Sequence, residues 1–427
     1  MIIGIDASRA NRGHKSGTEW YSYYLIKNLA CIDDKNEYIL YTDKPLIGGL
    51  LNLEKEDIGE EFYKDEKIKF DKNGFQIIKS PYNNFKAKVL KWPFVFFWTL
   101  GRLSMEMLLR RIDVLFIPAH SIPLIRPKKT IATVHDVAFL KREALYRKEN
   151  LGSENKNFRK IVNLLVRIFT LNKYRADSID YLKWSTKFTL KHAKKIITVS
   201  VASKNDILGM YSVSENKIKV VYNGYNNKFY TKRTDEKKIE EVLEKYGLER
   251  PYILYVGRLE KKKNMAMLIE GYARAKYNNK DLKENLVLAG DAGHGYDEAI
   301  YNITGLDLQP SVYITGWVEE DDLPYIFSAS KAFIFPSIYE GFGIPILQAF
   351  GTKTPVTSSC IPPFREIGKQ AILYFNPLDR NEIADSINKI VSDEHLRGDL
   401  IRKGSERVSH FSWEKCARDT LKEIEEM

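Results

Sequence analysis

Two doubly wound α/β domains, each a parallel sheet covered by helices, are what this sequence predicts. Three observations predict them. The chain has 427 residues, too many for one ordinary core and enough for two domains of roughly 150–200 residues each. Short β-branched or aromatic runs recur, each followed by a helix-like stretch, the alternation that builds parallel sheets. That alternation breaks once, at "YTKRTDEKKIEEVLEKYGLERP" (230–251), which is polar enough for a linker and a surface helix, and then restarts.

The expected strands of the first half are "IIGID" (2–6), "YILYT" (38–42), "FQIIK" (75–79), "DVLFI" (113–117), "TIATV" (130–134), "KIITVS" (195–200) and "IKVVY" (218–222). Those of the second half are "YILYVG" (252–257), "NLVLAG" (285–290), "VYIT" (312–315), "AFIFP" (332–336), "PVTSS" (355–359) and "AILYF" (371–375). Ligands of such sheets sit beyond the C-terminal strand ends, so an interdomain cleft lined by those ends is expected.

Bulk composition narrows the classes of function. With 44% hydrophobic and 29% charged residues the chain is globular rather than disordered. Three cysteines, Cys31, Cys360 and Cys416, lie far apart without metal-ligand spacing, so a reducing, cytoplasmic setting is expected, with no disulfide framework and no zinc site. The N-terminal "MIIGIDAS" runs straight into a strand pattern, without a charged-then-apolar leader. The longest apolar stretch, "WPFVFFWTLG" (92–101), is about half the ~20 residues a membrane span needs. A formal net charge of +11 favours anionic partners: nucleotides, lipid surfaces or nucleic acid.

Four stretches can carry chemistry. In "FPSIYEGFGIPILQAFG" (335–351) an apolar strand ends near Glu340, then Gly341 and Gly343 flank Phe342. Pro345 suits a first helical turn and Gly351 a C-terminal stop. The glycines let backbone approach a ligand, and the free N–H groups of a new helix suit an anion or sugar hydroxyls. A tight turn with an incidental surface glutamate is the plainer alternative.

"YVGRLEKKKNMAMLIEGYARAK" (255–276) reads as strand, basic loop and helix, with Asn264 as the expected N-cap. Arg258, Lys261, Lys262 and Lys263 crowd a helix start, where cations oppose the macrodipole at roughly 0.3–1 kcal/mol apiece. A bound anion such as a diphosphate would explain them, with arginine as a fork and lysine as a point charge. Some of the lysines are expected to be merely solvated.

"GIDASRANRGHKSGTEWYSYYLIKNL" (4–29) is another strand, glycine-bearing loop and helix, with Thr18 the expected cap and Gly13 and Gly17 leaving the loop free to meet a phosphate. "TIATVHDVAF" (130–139) sets His135 and Asp136 at a strand end, where a functional and a purely structural histidine are both compatible with the pattern.

Taken together these stretches resemble the large retaining family of nucleotide-sugar glycosyltransferases with the GT-B fold (glycosyltransferase family 4-like, group 1), which includes sucrose synthases and many bacterial mannosyltransferases. The resemblance runs from the N-terminal glycine loop through "VHD", "IITVS", "VVYNG", "VGRLEKKKN", "LVLAGD", "VYITGWV" and "FPSIYEGFGIPILQA" to the closing "FSWEKCA". The ordered set is specific where any one piece is not.

The resemblance implies an acceptor-binding domain over residues 1–230, a nucleotide-sugar domain over 231–408, and a final helix in 409–427 crossing back to the first domain. It implies that Arg258 and Lys263 hold the diphosphate, and that Glu340, with Gly341 and the amides of Phe342 and Gly343, meets the transferred sugar. His135 would lie near the reacting carbon, and Gly17 would close over the phosphates. Gly316, Trp317 and Val318 would line the base pocket. The expected catalytic set is His135, Glu340, Arg258 and Lys263.

One position departs from the family pattern, which has a second glutamate at the ribose: here Gln348 stands there, and an amide pairs with a diol without charge. The implied reaction is retaining transfer of a hexose, mannose by family frequency, from a GDP- or UDP-linked donor to a glycan or lipid-linked acceptor. No carboxylate nucleophile is identifiable from the sequence; the resemblance implies instead a same-face substitution, in which the departing diphosphate helps deprotonate the acceptor. The chain has no Asp-x-Asp triplet, and cations stand where a metal would, so no divalent ion and no cofactor is expected. Nucleic acid is not an expected partner. A degenerate nucleotide-sugar binder and a GT-B epimerase are the alternatives.

The segment "KNFRKIVNLLVRIFTLNKYR" (156–175) gathers Phe158, Ile161, Val162, Leu165, Ile168 and Phe169 on one helical face, with Lys156, Arg159, Lys160 and Arg167 around it. Such a helix either lies on an anionic membrane, at the inner face of the plasma membrane, or packs on its own domain.

Overall fold

The computed structural model describes residues 1–54, 67–93, 97–146, 160, 163, 166–167 and 174–427. The chain divides into two compact units. The first is built from Met1–Glu143, Arg147–Asn223 and Trp413–Met427, the second from Ala144–Tyr146 and Gly224–Ser412.

An eight-stranded sheet organises the first unit: β1 (Ile2–Asp6), β2 (Glu37–Thr42), β3 (Gln76–Ile77), β4 (Phe85–Val89), β5 (Val114–Ile117), β6 (Thr130–Thr133), β7 (Lys195–Thr198) and β8 (Ile218–Val220). Its order is β3-β4-β2-β1-β5-β6-β7-β8, parallel throughout except between β3 and β4. Ile3, Ile5, Leu115, Phe116, Ile131 and Ile196 have no exposed surface, as expected of strands covered on both faces.

One strand differs from the expectation. "FQIIK" supplies only the two-residue antiparallel edge β3, and the strand beside β2 is "FKAKV", β4, which a search for apolar runs passes over. Phe85 and Ala87 are buried while Lys86 and Lys88 alternate with them, so the signal was a period of two rather than a run. Each of these lysines holds its Nζ 5.0 Å from the centre of the Phe75 ring.

Helix Gly17–Ile32 follows β1. Its N-cap is Ser16 rather than Thr18: the Ser16 N–H donates to the Glu19 carboxylate at 3.2 Å, one arm of a capping box. The closing helix, Trp413–Glu425, packs against it, with Tyr24 stacked on Trp413 at 5.4 Å and 16°. Lys195, opening β7, donates to Glu423 at 2.9 Å and ties the same helix to the sheet.

The second unit is built on six parallel strands: β9 (Tyr252–Val256), β10 (Asn285–Ala289), β11 (Val312–Gly316), β12 (Ala332–Phe335), β13 (Val356–Ser359) and β14 (Ile372–Phe375). Their order is β11-β10-β9-β12-β13-β14, so the winding reverses between β9 and β12. At such a reversal the loops leaving the two strands diverge and open a crevice at their C-terminal ends. In the first sheet the corresponding reversal lies between β1 and β5.

No helix among the described residues is long and apolar enough to cross a membrane. Within 156–175, Lys160, Asn163, Val166 and Arg167 are helical, with Lys160 and Arg167 exposed; Lys156, Phe158, Arg159, Ile161, Val162, Leu165, Ile168 and Phe169 lie outside the described residues. In the apolar stretch 92–101, residues 94–96 likewise lie outside them. Thr99–Leu103 is a π-helical turn that runs on into helix Ser104–Leu109.

Candidate functional site

In the second unit the site is built where the sheet reverses. After β9, the Gly257 N–H donates to Ala289 O at 2.9 Å, Leu259 N–H to Asp291 O at 2.8 Å and Lys261 N–H to His294 O at 2.8 Å, so the β9 loop is stitched to the β10 loop. Lys261–Lys263 form one 3-10 turn, and helix Met265–Asn278 follows. Asn264 stands at the N-cap but does not cap. It is left-handed, with φ 66°, and its Nδ2 donates to Pro377 O at 2.7 Å, anchoring the helix start to the β14 side. After β12, the Ile338 N–H donates to Lys262 O at 2.9 Å, which joins the two loops that flank the reversal.

These bonds bring together residues 77 apart in sequence. Lys263 Nζ donates to Glu340 Oε1, and the side chains are only 14% and 13% exposed. Ser337, unmarked by the sequence reading, donates its hydroxyl to the same oxygen at 2.9 Å. Burial alone would raise the Glu340 pKa; the ammonium groups of Lys263 and Lys262 and the hydrogen bonds from Lys263 and Ser337 outweigh it and hold the carboxyl below its ordinary value. Lys263 also lies 5.1 Å from the Phe335 ring centre.

The basic loop is therefore less unbalanced than the sequence suggests. Lys261 pairs with Glu298 at 3.3 Å, Lys262 with Glu260 at 3.3 Å, and Lys263 with Glu340. Each lysine meets a carboxylate that the one-dimensional pattern could not assign to it. Arg258 is exposed in the β9 loop, and among the described residues its guanidinium makes no ion pair.

Past Glu340 the chain makes the glycine turn. Gly343 has φ +116°, and a Cβ there would come within 2.9 Å of the Phe364 ring, so both conformation and space require glycine. Helix Ile344–Gly351 starts directly after it, with Pro345 in its first turn. Gly351 stays inside the helix; its reason is close packing, since a Cβ would lie 2.4 Å from Tyr230 O. Gly341 and Phe342 are buried. Gln348 is half-buried, and among the described residues its side-chain amide makes no hydrogen bond, so its donors and acceptor are uncommitted. Gly316 ends β11 with φ 69° and bridges to Gly290 after β10; Trp317 is 37% exposed and Val318 is buried. All ten predicted residues, Arg258, Lys263, Gly316, Trp317, Val318, Glu340, Gly341, Phe342, Gly343 and Gln348, belong to the second unit; the contacts bring Lys263 and Glu340 together, Gly316 ends β11, and Gln348 lies inside helix Ile344–Gly351.

His135 and Gly17 belong to the first unit. His135 follows β6 and its Nε2 lies 3.3 Å from Pro118 O, which can only accept, so that nitrogen carries a proton. Its own N–H donates to His120 Nε2 at 3.1 Å, and the two rings lie 5.8 Å apart at 19°. Burial, helped by the neighbouring His120, pushes His135 down to about 3, and burial holds His120 at about 4, so both rings are neutral near pH 7. Tyr21, from the helix that Gly17 opens, packs edge-on against His135 at 4.8 Å. A Cβ at Gly17 would meet nothing within 4 Å, so packing does not explain this glycine. Asp136 accepts from the Ala138 N–H at 3.0 Å, a turn role.

Sequence reasoning missed His120 and Asp6. Asp6, at the end of β1, is buried, and burial raises its pKa against hydrogen bonds from Ser8 and Thr99. The signal available for both was position alone, at the ends of β1 and β5 where that sheet reverses.

A profile described as "Glycosyl transferases group 1" matches residues 235–407, and one described as "Glycosyltransferase Family 4" matches residues 62–229. The chain belongs to the family 4-like, group 1 glycosyltransferases. Over 259 residues it is 29% identical to O-antigen chain mannosyltransferase B of Escherichia coli, covering 60% of this chain and 67% of that one. Over 210 residues it is 28% identical to O-antigen chain mannosyltransferase RfbU of Salmonella typhimurium, covering 49% and 54%. Over 280 residues it is 28% identical to an N-acetylgalactosamine-N,N'-diacetylbacillosaminyl-diphospho-undecaprenol 4-alpha-N-acetylgalactosaminyltransferase of Campylobacter jejuni, covering 61% and 72%. The matched stretches thus span from about half to under three-quarters of these relatives.

Among solved structures, sucrose-phosphate synthase from Thermosynechococcus elongatus aligns with a TM-score of 0.68 at 16% identity, covering 100% of this chain and 98% of that one. Anabaena Alr3699/HepE in complex with UDP-glucose aligns with a TM-score of 0.63 at 16% identity, covering 100% and 99%. The fold of this chain is GT-B.

Proposed function

We propose that this chain is a retaining hexosyltransferase that moves a sugar, mannose in the first instance, from a nucleoside diphosphate sugar to a hydroxyl of a glycan or lipid-linked acceptor. The observation that carries the reading is the half-buried Lys263–Glu340 pair, joined by Ser337 at the reversal of the second sheet, with the exposed Arg258 on the same β9 loop. Kinship with two O-antigen mannosyltransferases supports mannose, and a structural relative holding UDP-glucose supports a nucleotide-sugar donor. The Campylobacter jejuni relative, whose acceptor is named as a diphospho-undecaprenol, supports a lipid-linked acceptor.

In this reading the acceptor oxygen bonds to the anomeric carbon on the face the diphosphate leaves. The carbon–phosphate oxygen bond breaks, and the acceptor proton passes to the departing phosphate. Arg258 and Lys263 stabilise the charge that grows on the diphosphate, a contribution worth several kcal/mol when donors are fixed in advance. Glu340, kept ionised by its lysines, accepts hydrogen bonds from sugar hydroxyls. Neutral His135 offers an uncharged ring to the sugar. Cationic side chains serve where a metal otherwise would, so turnover is expected to survive chelation. The enzyme works in the cytoplasm, at the inner membrane face, for synthesis of a surface polysaccharide.

A panel of GDP- and UDP-linked sugars tests the reading. The expected result is nucleoside diphosphate release and a new glycoside whose anomeric configuration matches the donor's, unchanged by EDTA. Binding without turnover would make the chain a degenerate binder, and an isomerised nucleotide sugar would make it an epimerase.

A further inference from the structure

Helix Ser104–Leu109 in the first unit is turned inside out. Its one charged residue, Glu106, is 3% exposed and faces inward, accepting from Arg102 Nη1 at 3.3 Å and Arg110 Nε at 3.1 Å. Three of its four apolar residues face outward, Met105 being 53% exposed, Leu108 67% and Leu109 78%, while Met107 is half-buried. Spaced by three and four positions, the outward three share one helical face. The loop between β5 and β6 continues this surface. Leu124 N–H donates to Ser104 Oγ at 2.9 Å, which fixes that loop against the start of the helix, and Leu124 and Ile125 are 49% and 42% exposed. Arg126 braces the loop by donating to Leu124 O at 2.6 Å.

The charged side chains that flank these five apolar residues in sequence are mostly basic, with the exposed Asp113 beyond Arg111 the exception. Arg111, Lys128 and Lys129 are exposed, Arg126 is half-buried against Phe188, and across residues 102–111 and 121–129 the only carboxylate is the inward Glu106. We infer that this surface, Met105, Leu108, Leu109, Leu124 and Ile125 rimmed by Arg111, Lys128 and Lys129, docks on an anionic lipid bilayer. Side chains of this size sink to the headgroup boundary while the cations meet lipid phosphates. Charge decides against the other occupants. A second copy docked by a two-fold axis would bring the same cations face to face. Segment 156–175 of this chain is itself rich in lysine and arginine. The inference deepens the membrane side of the reading above and rests on it only for the lipid-linked acceptor.

The test is sedimentation of the full chain with phosphatidylcholine vesicles, alone or with about one-third phosphatidylglycerol. Wild type is expected to bind the anionic vesicles and to lose binding as salt rises. Leu108→Glu with Leu109→Glu, and separately Arg111→Glu with Lys128→Glu and Lys129→Glu, should each weaken that binding by at least about tenfold. All five sites are exposed, so folding is checked by unchanged thermal unfolding. Anionic-vesicle binding equal in wild type and the Leu108/Leu109 variant overturns the inference. So does a wild-type dimer that this variant dissociates, or loss of binding in Lys160→Glu with Arg167→Glu alone. Nucleotide-sugar turnover, followed in parallel without vesicles, should be the same in all variants. Its absence from every protein would fell the transferase reading and leave the vesicle result standing.

Discussion

At the strand ends of the second sheet the Glu340 carboxyl is held charged beside Lys263, whereas at those of the first sheet His120 and His135 are held neutral. Both pairs are half-buried, and withdrawal from water alone disfavours charge in Glu340 and in each histidine. The outcomes differ because Glu340 accepts from the Lys263 ammonium and the Ser337 hydroxyl, with the Lys262 charge nearby, while the histidines have a backbone carbonyl, a backbone N–H and each other. One sheet offers a preformed charge clamp, the other uncharged polar rings. The difference teaches that equivalent topological positions fix where function is built but not its electrostatics.

The largest effects should come from breaking the charged side. Arg258→Ala is expected to lower kcat/KM by at least ~100-fold, about 2.7 kcal/mol of transition-state stabilisation, with thermal stability unchanged because the guanidinium is exposed. Lys263→Ala should cost at least as much activity and, unlike Arg258→Ala, should also destabilise the fold by about 3 kcal/mol, since Glu340 is left half-buried without its main partner. Steady-state kinetics and chemical denaturation of the two variants side by side separate these outcomes; equal stability would show that the pair is not coupled.

The second contrast is in pH. Glu340 has a folded pKa below the ordinary carboxylate value, so its stabilisation is present above about pH 4.5 and is lost as pH falls through the lower folded value. The histidines have folded values of about 3 and 4 against 6.5, so the unfolded chain takes up their protons first and stability falls from pH 6.5 downward. Each contributes up to about 1.4 kcal/mol per pH unit within its window. Denaturation midpoints between pH 7 and 4 should therefore slope less in His135→Gln than in wild type, while the Lys263→Ala deficit should shrink as pH falls, starting where the Glu340 carboxyl, with burial no longer outweighed by Lys263, takes up its proton. An unchanged slope in His135→Gln would mean that this ring is not held neutral.

Smaller effects sharpen the donor side. Gln348→Glu should bind nucleoside diphosphate equally well or up to ~10-fold more tightly, because a carboxylate strengthens hydrogen bonds to a ribose, and Gln348→Ala should bind it more weakly. Calorimetric titration decides this; an alanine variant as tight as wild type would remove Gln348 from the site. Ser337→Ala should destabilise by about 1 kcal/mol, the loss of one hydrogen bond to a charged oxygen, measured by denaturation.

The sequence by itself determined the two parallel sheets, because strands buried on both faces must be written as apolar runs, and it marked the loops where Arg258, Lys263, His135, Glu340 and the glycine turn stand. It did not disclose β4, whose polar alternate face hides it from a search for runs, nor the caps: Ser16 replaces Thr18, and Asn264 bonds to Pro377, far along the chain. Above all, it could not pair charges. That Lys263 meets Glu340 and Ser337, that His120 receives the His135 N–H, and that Glu106 points inward while Leu108 and Leu109 point out were decided by the tertiary structure. The physical reason is that periodicity encodes which face of an element is buried, whereas partners distant in sequence meet only through strand order and loop packing.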